Sequence, residues 1–329
     1  MQVSASVRAV QVPDDSPMHP QFTTMYLVGK DQVLTIDSGE DLERYRWMLR
    51  GYLAATEHAE VALAGITHHH FDHSANLKWL RETFGADILV HEEGQPILQG
   101  RLPDTGVVVM RDGRVIDLGG GVRVRVLHTP GHSVDSVCYY LEDEGVLFSG
   151  DTILGQGTAT MRDLFDYMHS LERLRELPNL KVMCPGHGPL IWDPRERIQE
   201  YIDHRNQRER QILVVLGEGG ELTSWDIMMR IYTDVDPRLR RAAEGNVQTH
   251  LRKLERDGRL KVYPGKPKEP LPEDLARQQE EARAAAELQA KSQEAAARAR
   301  RQALNAQENP QAAQWEVPPK FELIGSPRD

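Results

Sequence analysis

The chain has 329 residues and a formal net charge of -10. That length holds one large domain, or one with a small appendage, and the acidic balance argues against the global basic footprint of a non-specific nucleic-acid binder. The only cysteines, Cys138 and Cys184, sit in apolar runs and read as small buried hydrophobes rather than a disulfide.

Taken in chain order, residues 3–12 alternate apolar and polar side chains and predict a strand, followed by a polar loop over 13–20. A hairpin is predicted from 24–28 and 32–36 around Gly29-Lys30-Asp31, ending in Asp37-Ser38-Gly39. Residues 41–55 place Leu42, Tyr45, Met48, Leu49 and Tyr52 at helical spacing. The nearly continuous apolar run 61–66 predicts a strand covered on both faces. A helix over 74–84 closed by Gly85, then a strand over 87–90, extend the alternation and argue for layered α/β architecture. From residue 107 the pattern turns strand-rich, with strands expected at 114–117, 122–127, 136–141 and 146–148. A helix over 163–177 stops at Pro178, and a short strand at 181–184 leads into Pro185-Gly186-His187-Gly188-Pro189.

A long helix is expected over 194–216. Thr223 or Ser224 then caps the first helix of a small module, in which helices over 224–232 and 239–255 and a strand over 258–263 suggest a winged helix. Composition shifts after Pro264. Residues 265–272 read as a Pro-rich linker, and 273–305 as an Ala/Gln/Glu/Arg-rich helical stretch with almost nothing to bury. Residues 310–329 read as disordered, with Phe321-Glu322-Leu323-Ile324 as a segment able to dock. The expected division is a catalytic domain over 1–202, a winged-helix-like domain over 203–264, and a linker with a helical or disordered tail over 265–329. No apolar run is long enough to span a bilayer, and the first residues lack the charged and apolar regions of a secretory signal. A cytoplasmic location without membrane contact is expected.

The chemistry is concentrated after the 61–66 strand, in Thr67-His68-x-His70-x-Asp72-His73. In extended chain, side chains two apart point the same way, so His68 and His70 can share one ion, while Asp72 and His73, where the chain turns, can face a second. His132, Asp151 and His187 each lie at a strand end next to a glycine, where the backbone turns sharply enough to bring a side chain over the strand ends. Ligand chemistry then assigns His68, His70 and His132 to one metal ion and Asp72, His73 and His187 to the other, with Asp151 bridging. Imidazole and carboxylate without thiolate suit two Zn2+ ions, with manganese or iron as other occupants. Such ions, about 3.5–4 Å apart, share a water and lower its pKa towards neutrality, which gives a hydroxide nucleophile and polarises the substrate. Asp72, placed to orient that hydroxide, and Asp151 are the expected catalytic carboxylates.

The remaining histidines read more plainly. His69 is a spacer pointing away from the ligands, His91 a satisfied strand-end residue, and His128 a hydrogen-bond partner to a ligand or carboxylate. Asp166, Tyr167 and His169 are placed to line a substrate groove, and His204 with Arg205 reads as structural.

Together, Thr67-His-x-His-x-Asp-His73, Gly131-His132, Gly150-Asp151 and Gly186-His187-Gly188 resemble the metallo-β-lactamase-fold hydrolases over about residues 1–202. The resemblance implies an α/β (α+β) fold, an αββα sandwich of two face-to-face sheets with helices outside. A narrower likeness, to the β-lactamase-like protein 2 group, is carried by Gly150-Asp-Thr-Ile-Leu-Gly-x-Gly-Thr158, Asp166-Tyr167-Met168-x-Ser170-Leu171, His204-Arg205-Asn206-x-Arg208-Glu209 and Glu244-Gly-Asn-Val-x-x-His250-Leu. It implies a small C-terminal winged-helix-like domain. Animal members of that group imply zinc-dependent cleavage of single-stranded RNA, and fungal relatives imply hydrolysis of thioesters on acyl carrier proteins. Ser74-Ala75-Asn76 departs from the x-Gly-Gly or x-Gly-Asn usual after the last histidine of the motif, but it keeps a small residue for helix packing.

True β-lactamases of this family usually carry cysteine where Asp151 stands, so the resemblance points instead to thioesterases, lactonases or phosphodiesterases, and the acidic net charge favours a hydrolase of a small or carrier-bound ester, thioester or lactone. The alternative is an endoribonuclease, with Arg205, Arg208, Arg238, Arg240, Arg241, Arg252 and Lys253 on phosphates. Interleaved Glu and Asp residues weaken that reading. A winged-helix nucleic-acid-binding regulator ranks below both, because it needs a basic recognition helix.

Overall fold

The computed structural model describes residues 1–13, 21–30, 32–55, 60–268, 309 and 311–324. The loop expected over 13–20 (beyond Pro13), Asp31 of the hairpin turn and the stretch 273–305 lie outside the described residues. Contacts divide the chain into a unit Met1–Asn206 and a unit Gln207–Asp329.

The first unit begins with β1 (Val7–Pro13), β2 (Phe22–Val28), β3 (Gln32–Ile36), α1 (Glu43–Ala54), β4 (Glu60–Gly65), α2 (Phe71–Ser74), α3 (Leu77–Phe84), β5 (Asp87–His91) and β6 (Val107–Met110). These six strands form one sheet in chain order, antiparallel from β1 to β3 and parallel from β3 to β6. A second sheet, ordered β11-β10-β9-β8-β7, is built from β7 (Val115–Asp117), β8 (Arg123–His128), β9 (Val137–Leu141), β10 (Val146–Gly150) and β11 (Val182–Pro185). Between β10 and β11 runs α4 (Leu164–Arg175), and α5 (Pro194–Gly217) follows β11.

Period-two alternation makes the layers. In β9, Val137, Tyr139 and Leu141 enter a core shared by both sheets, whereas Cys138 and Tyr140 join a cluster with α4 and α5 residues such as Leu171 and Ile198. In β2, Tyr26 and Val28 face the shared core, and Met25 and Leu27 pack with Tyr45 of α1 and Leu80 of α3. Where both faces are covered, as in β9 and β10, the strands are buried along their whole length. The result is the expected αββα sandwich.

Two local expectations change. The helix expected over 74–84 is broken into α2 and α3, because the Asn76 side chain leaves the helix to donate to the carbonyls of Ser38, Gly39 and Glu40. β6 is an additional strand, too short for its period to register in the sequence.

In the second unit, α6 (Ser224–Ile231) starts at a capping box in which Thr223 and Asp226 satisfy each other's backbone. A 3-10 turn (Pro237–Leu239) precedes α7 (Arg240–Arg256), followed by β12 (Leu260–Tyr263), β13 (Lys266–Pro267), α8 (Gln311–Gln314), β14 (Trp315–Val317) and β15 (Lys320–Leu323). β12 pairs with β15 and β13 with β14, both antiparallel. Where described, 266–267 and 311–323 therefore depart from the expected linker and disordered tail, and residues 269–272, 310 and 325–329 lie outside the described residues. Phe321 is buried with Ile212, Leu216, Ile227, Met228, Val247 and Leu251, and the buried Gln311 side chain donates to Ser224 Oγ at 2.6 Å. Among the described residues, no helix is long and apolar enough to cross a membrane.

Candidate metal centre

In the first unit the turns that follow strands gather at one edge of the sandwich. Thr24 N donates to Gly186 O at 2.8 Å and Gly188 N to Phe22 O at 3.0 Å, which stitches β2 of one sheet to the turn after β11 of the other. Asp37 follows β3, β4 leads into Thr67 to His73, Asp151 follows β10 and β11 leads into His187, while His132 comes from the β8–β9 connection.

All seven expected residues meet there, in two groups. His68, His70 and His132 form one, and Asp72, His73, Asp151 and His187 the other; within each group the ligand atoms all lie within 4.8 Å of one another. In the first, His68 Nε2 stands 2.8 Å from His70 Nδ1 and 3.2 Å from His132 Nε2, and 3.1 Å closes the triangle. In the second, His73 Nε2 and His187 Nε2 are 3.2 Å apart, and Asp72 Oδ2 lies 3.0 Å from His187 Nε2 and 3.3 Å from His73 Nε2. Asp151 faces both. Its Oδ1 is 3.4 and 3.5 Å from the His73 and His187 nitrogens, and its Oδ2 is 3.9 Å from His132 Nε2.

These residues fit a pair of metal ions. A tetrahedral ion with nitrogens at about 2.05 Å separates those nitrogens by about 3.3 Å, close to the edges of the histidine triangle. Asp151 Oδ1 is buried with the His73 and His187 nitrogens beyond ordinary hydrogen-bond length, at 3.4 and 3.5 Å, leaving a carboxylate oxygen of the kind a cation satisfies.

The electrostatics of the two groups are opposite. Burial, reinforced by the neighbouring imidazoles, holds His68 well below the usual imidazole value and lowers His70 to about 4, and burial lowers His132 as well, against upward pulls from Asp151 and the Thr160 carbonyl. All three are therefore neutral at pH 7, the form that donates a lone pair to a metal. Burial alone would lower His73 and His187 too, but Asp72, Asp37 and Asp151 raise His73, and Asp151 with Asp72 raises His187. Burial would raise Asp72 and Asp151, yet His73 and His187 hold both well below the carboxylate range. This half of the site demands positive charge, supplied by protons or by a cation.

Residues that the sequence did not single out orient the ligands. Asp37 Oδ2 lies 2.8 Å from His73 Nδ1, Thr23 Oγ1 lies 3.1 Å from His187 Nδ1, and Thr160 O accepts from His132 Nδ1 at 2.8 Å. Each contact leaves Nε2 turned to the centre. His70 presents Nδ1 instead. Two glycines permit the crowding. A Cβ on Gly186 would lie 2.6 Å from His73 Cε1 and 2.8 Å from Asp151 Oδ1, and Gly150, at φ +49, would meet Thr67.

The other histidines are also accounted for. His69 points away from the ligands as expected, but its Nδ1 pairs with the buried Asp135 at 2.7 Å, so it anchors the loop. His91 stacks on His128 at 4.1 Å, and His128 Nε2 donates to Val134 O at 2.8 Å rather than to a ligand. Tyr167, expected in a groove, is fully buried with its hydroxyl on Thr152 O. Asp166 and His169 are exposed on α4.

The metallo-beta-lactamase superfamily profile matches residues 20–187, and that of the beta-lactamase associated winged helix domain matches residues 223–265. The chain belongs to the metallo-beta-lactamase superfamily, and it is a hydrolase of that superfamily with a His/Asp centre able to take two metal ions. It is 37% identical over 273 residues to a beta-lactamase-like protein 2 homolog of Drosophila melanogaster, covering 79% of this chain and 91% of that one. It is 35% identical over 215 residues to an atrochrysone carboxyl ACP thioesterase of Aspergillus fumigatus, covering 64% of this chain and 65% of that one. Among solved structures, a metallo-beta-lactamase family protein from Thermus thermophilus superposes with a TM-score of 0.67 at 26% identity, over 79% of this chain and 96% of that one.

Proposed function

We propose that the protein hydrolyses a small or carrier-bound ester, thioester or lactone at a dinuclear metal centre. His68, His70 and His132 would hold one ion and Asp72, His73 and His187 the other, with Asp151 facing both. The observation that carries this reading is Asp151, whose two oxygens face the two groups separately while Oδ1 stays beyond ordinary hydrogen-bond length of His73 and His187.

Two divalent cations bound there, zinc before manganese or iron for this donor set, supply Lewis acidity and a water of near-neutral pKa. The chain's own residues do the rest. His68, His70 and His132 arrive neutral and need lose no proton on binding. Asp72 and Asp151 would offset part of the added charge, and the Asp72 carboxylate would accept a hydrogen bond from a water held there. Asp37, Thr23 and Thr160 fix the tautomers of their histidines.

Similarity to the Aspergillus fumigatus acyl-carrier thioesterase supports a thioester substrate. The net charge of -10 counts against a polyanion. The test runs metal-loaded protein against acyl thioesters, lactones and a labelled single-stranded RNA, with wild type and Asp151→Ala in parallel. Metal-dependent thioester or lactone turnover, lost together with metal in Asp151→Ala, is expected. Hydrolysis that survives complete chelation sinks the mechanism, and RNA cleavage abolished by His70→Ala replaces the substrate class.

A further inference from the structure

Helix α5 grips the loop that follows Asp151 with three residues spaced one turn apart. Arg197, Tyr201 and Arg205, at i, i+4 and i+8, share one helix face. Arg197 donates from Nη2 to Gly157 O at 2.6 Å and also reaches Leu154 O. The Tyr201 hydroxyl accepts from Leu154 N at 2.8 Å and donates to Gly157 O at 3.2 Å. Arg205 donates from Nη2 to Ala159 O at 2.6 Å. The next carbonyl, Thr160 O, is the one that accepts from His132 Nδ1. Beyond it, Arg162 N and Asp163 N both donate to Gly131 O, at 2.6 and 3.1 Å. The loop is thus clamped between α5 and the His132 turn.

Stability alone does not account for Arg205. It is 1% exposed, and no carboxylate pairs with it among the described residues. It lies over the rings of Tyr167 and Tyr201, at 5.3 and 5.9 Å from their centroids, and its Nε and Nη1 make no hydrogen bond. A buried cation with two unmet donors is costly, and an apolar side chain of similar volume fills such a place without that cost. Beyond its contacts with the two tyrosines, what the guanidinium adds is one charge-assisted bond to the Ala159 carbonyl.

We propose that this stripe, and Arg205 above all, positions the ion held by His68, His70 and His132. By fixing Ala159 it fixes the Thr160 carbonyl, which in turn sets the tautomer and ring plane of His132. The proposal rests on reading the site as a metal centre.

Zinc titration of the full chain against a competing chelator, with metal content by mass spectrometry, tests it on wild type, Arg205→Met and Arg205→Lys. Wild type is expected to hold two ions. Arg205→Met, with a native far-ultraviolet spectrum, should hold one of them about 10–100-fold more weakly, and Arg205→Lys, which keeps one donor, should recover most of the loss. A folded Arg205→Met that binds both ions like wild type overturns the proposal. Should Arg205→Met not fold, Tyr201→Phe, which removes only a hydroxyl from the stripe, is read in the same way, and wild-type affinity for both ions there overturns it equally. Wild type that binds no metal refutes the metal reading and the proposal with it, whereas two tight ions in wild type and in both variants refute the proposal alone.

Discussion

Asp37 holds His73 from behind. Its Oδ2 lies 2.8 Å from His73 Nδ1, while Oδ1 accepts from the Thr67 amide at 2.7 Å and from the Thr67 hydroxyl at 3.0 Å. One buried carboxylate therefore ties the end of β3 to both ends of the ligand loop after β4. Removing it frees the imidazole to change tautomer, so Asp37→Ala is expected to weaken binding at the Asp72/His73/His187 position by about 10–100-fold. Chelator competition measures this, and an unchanged affinity would show that the loop holds His73 unaided.

Gly186 leaves no slack between the two halves of the site. A methyl group there would press on His73 Cε1 and Asp151 Oδ1 at once. Gly186→Ala should reduce metal content to one ion per chain or fewer while the far-ultraviolet spectrum stays native. Full metal content in that variant would mean that β11 can move away.

Acid should weaken the fold through His91 as well as through the ligands. Burial, and then the stacked His128, lowers the His91 pKa, against a smaller opposite pull from Glu92, Asp135 and Glu93. The unfolded chain then binds this proton at higher pH than the folded one, so the stability is complete above the ordinary imidazole value, about 6.5, and drains away as pH falls below it. Thermal midpoints of wild type should fall between pH 7 and pH 5, and His91→Gln should flatten that slope. Parallel curves for the two proteins would remove His91 from the account.

Phe321 should matter to the second unit as a core residue. It is buried among α6, α7 and the end of α5, and Leu222 N donates to its carbonyl at 3.1 Å. Phe321→Ala is expected to cost about 3 kcal/mol, read by denaturant unfolding of that unit. A loss below about 0.5 kcal/mol, within the range of surface substitutions, would place the residue outside the cooperative core.

How much of this the sequence displays depends on the range over which each residue acts. The seven clustered residues are legible because imidazoles and carboxylates at glycine-flanked strand ends are chemically conspicuous. Asp37, Thr23 and Thr160 are not, since each sits in an ordinary turn or strand and acquires its role from a partner 36, 164 or 28 positions away. Tyr167 escapes a sequence reading for a local reason. With Leu164, Leu171 and Leu174 it lies on the buried stripe of α4, a phase that a search for polar groove residues overlooks. β14 and β15 are too short, and too sparsely apolar, for periodicity to reveal them.

The second unit also closes on itself. Lys266 pairs with Val317, and Lys268 N donates to Gln314 O at 3.0 Å, so segments far apart in sequence meet in this unit. In sequence, residues 269–308 therefore join two segments that pair with each other. Loop-closure entropy rises only with the logarithm of length, so exchanging that span for a short Gly/Ser bridge should leave the unit's stability almost unchanged. The same closure makes the span a natural place to divide the gene: two separately expressed fragments, split there, carry complementary strands of two small sheets and should find each other.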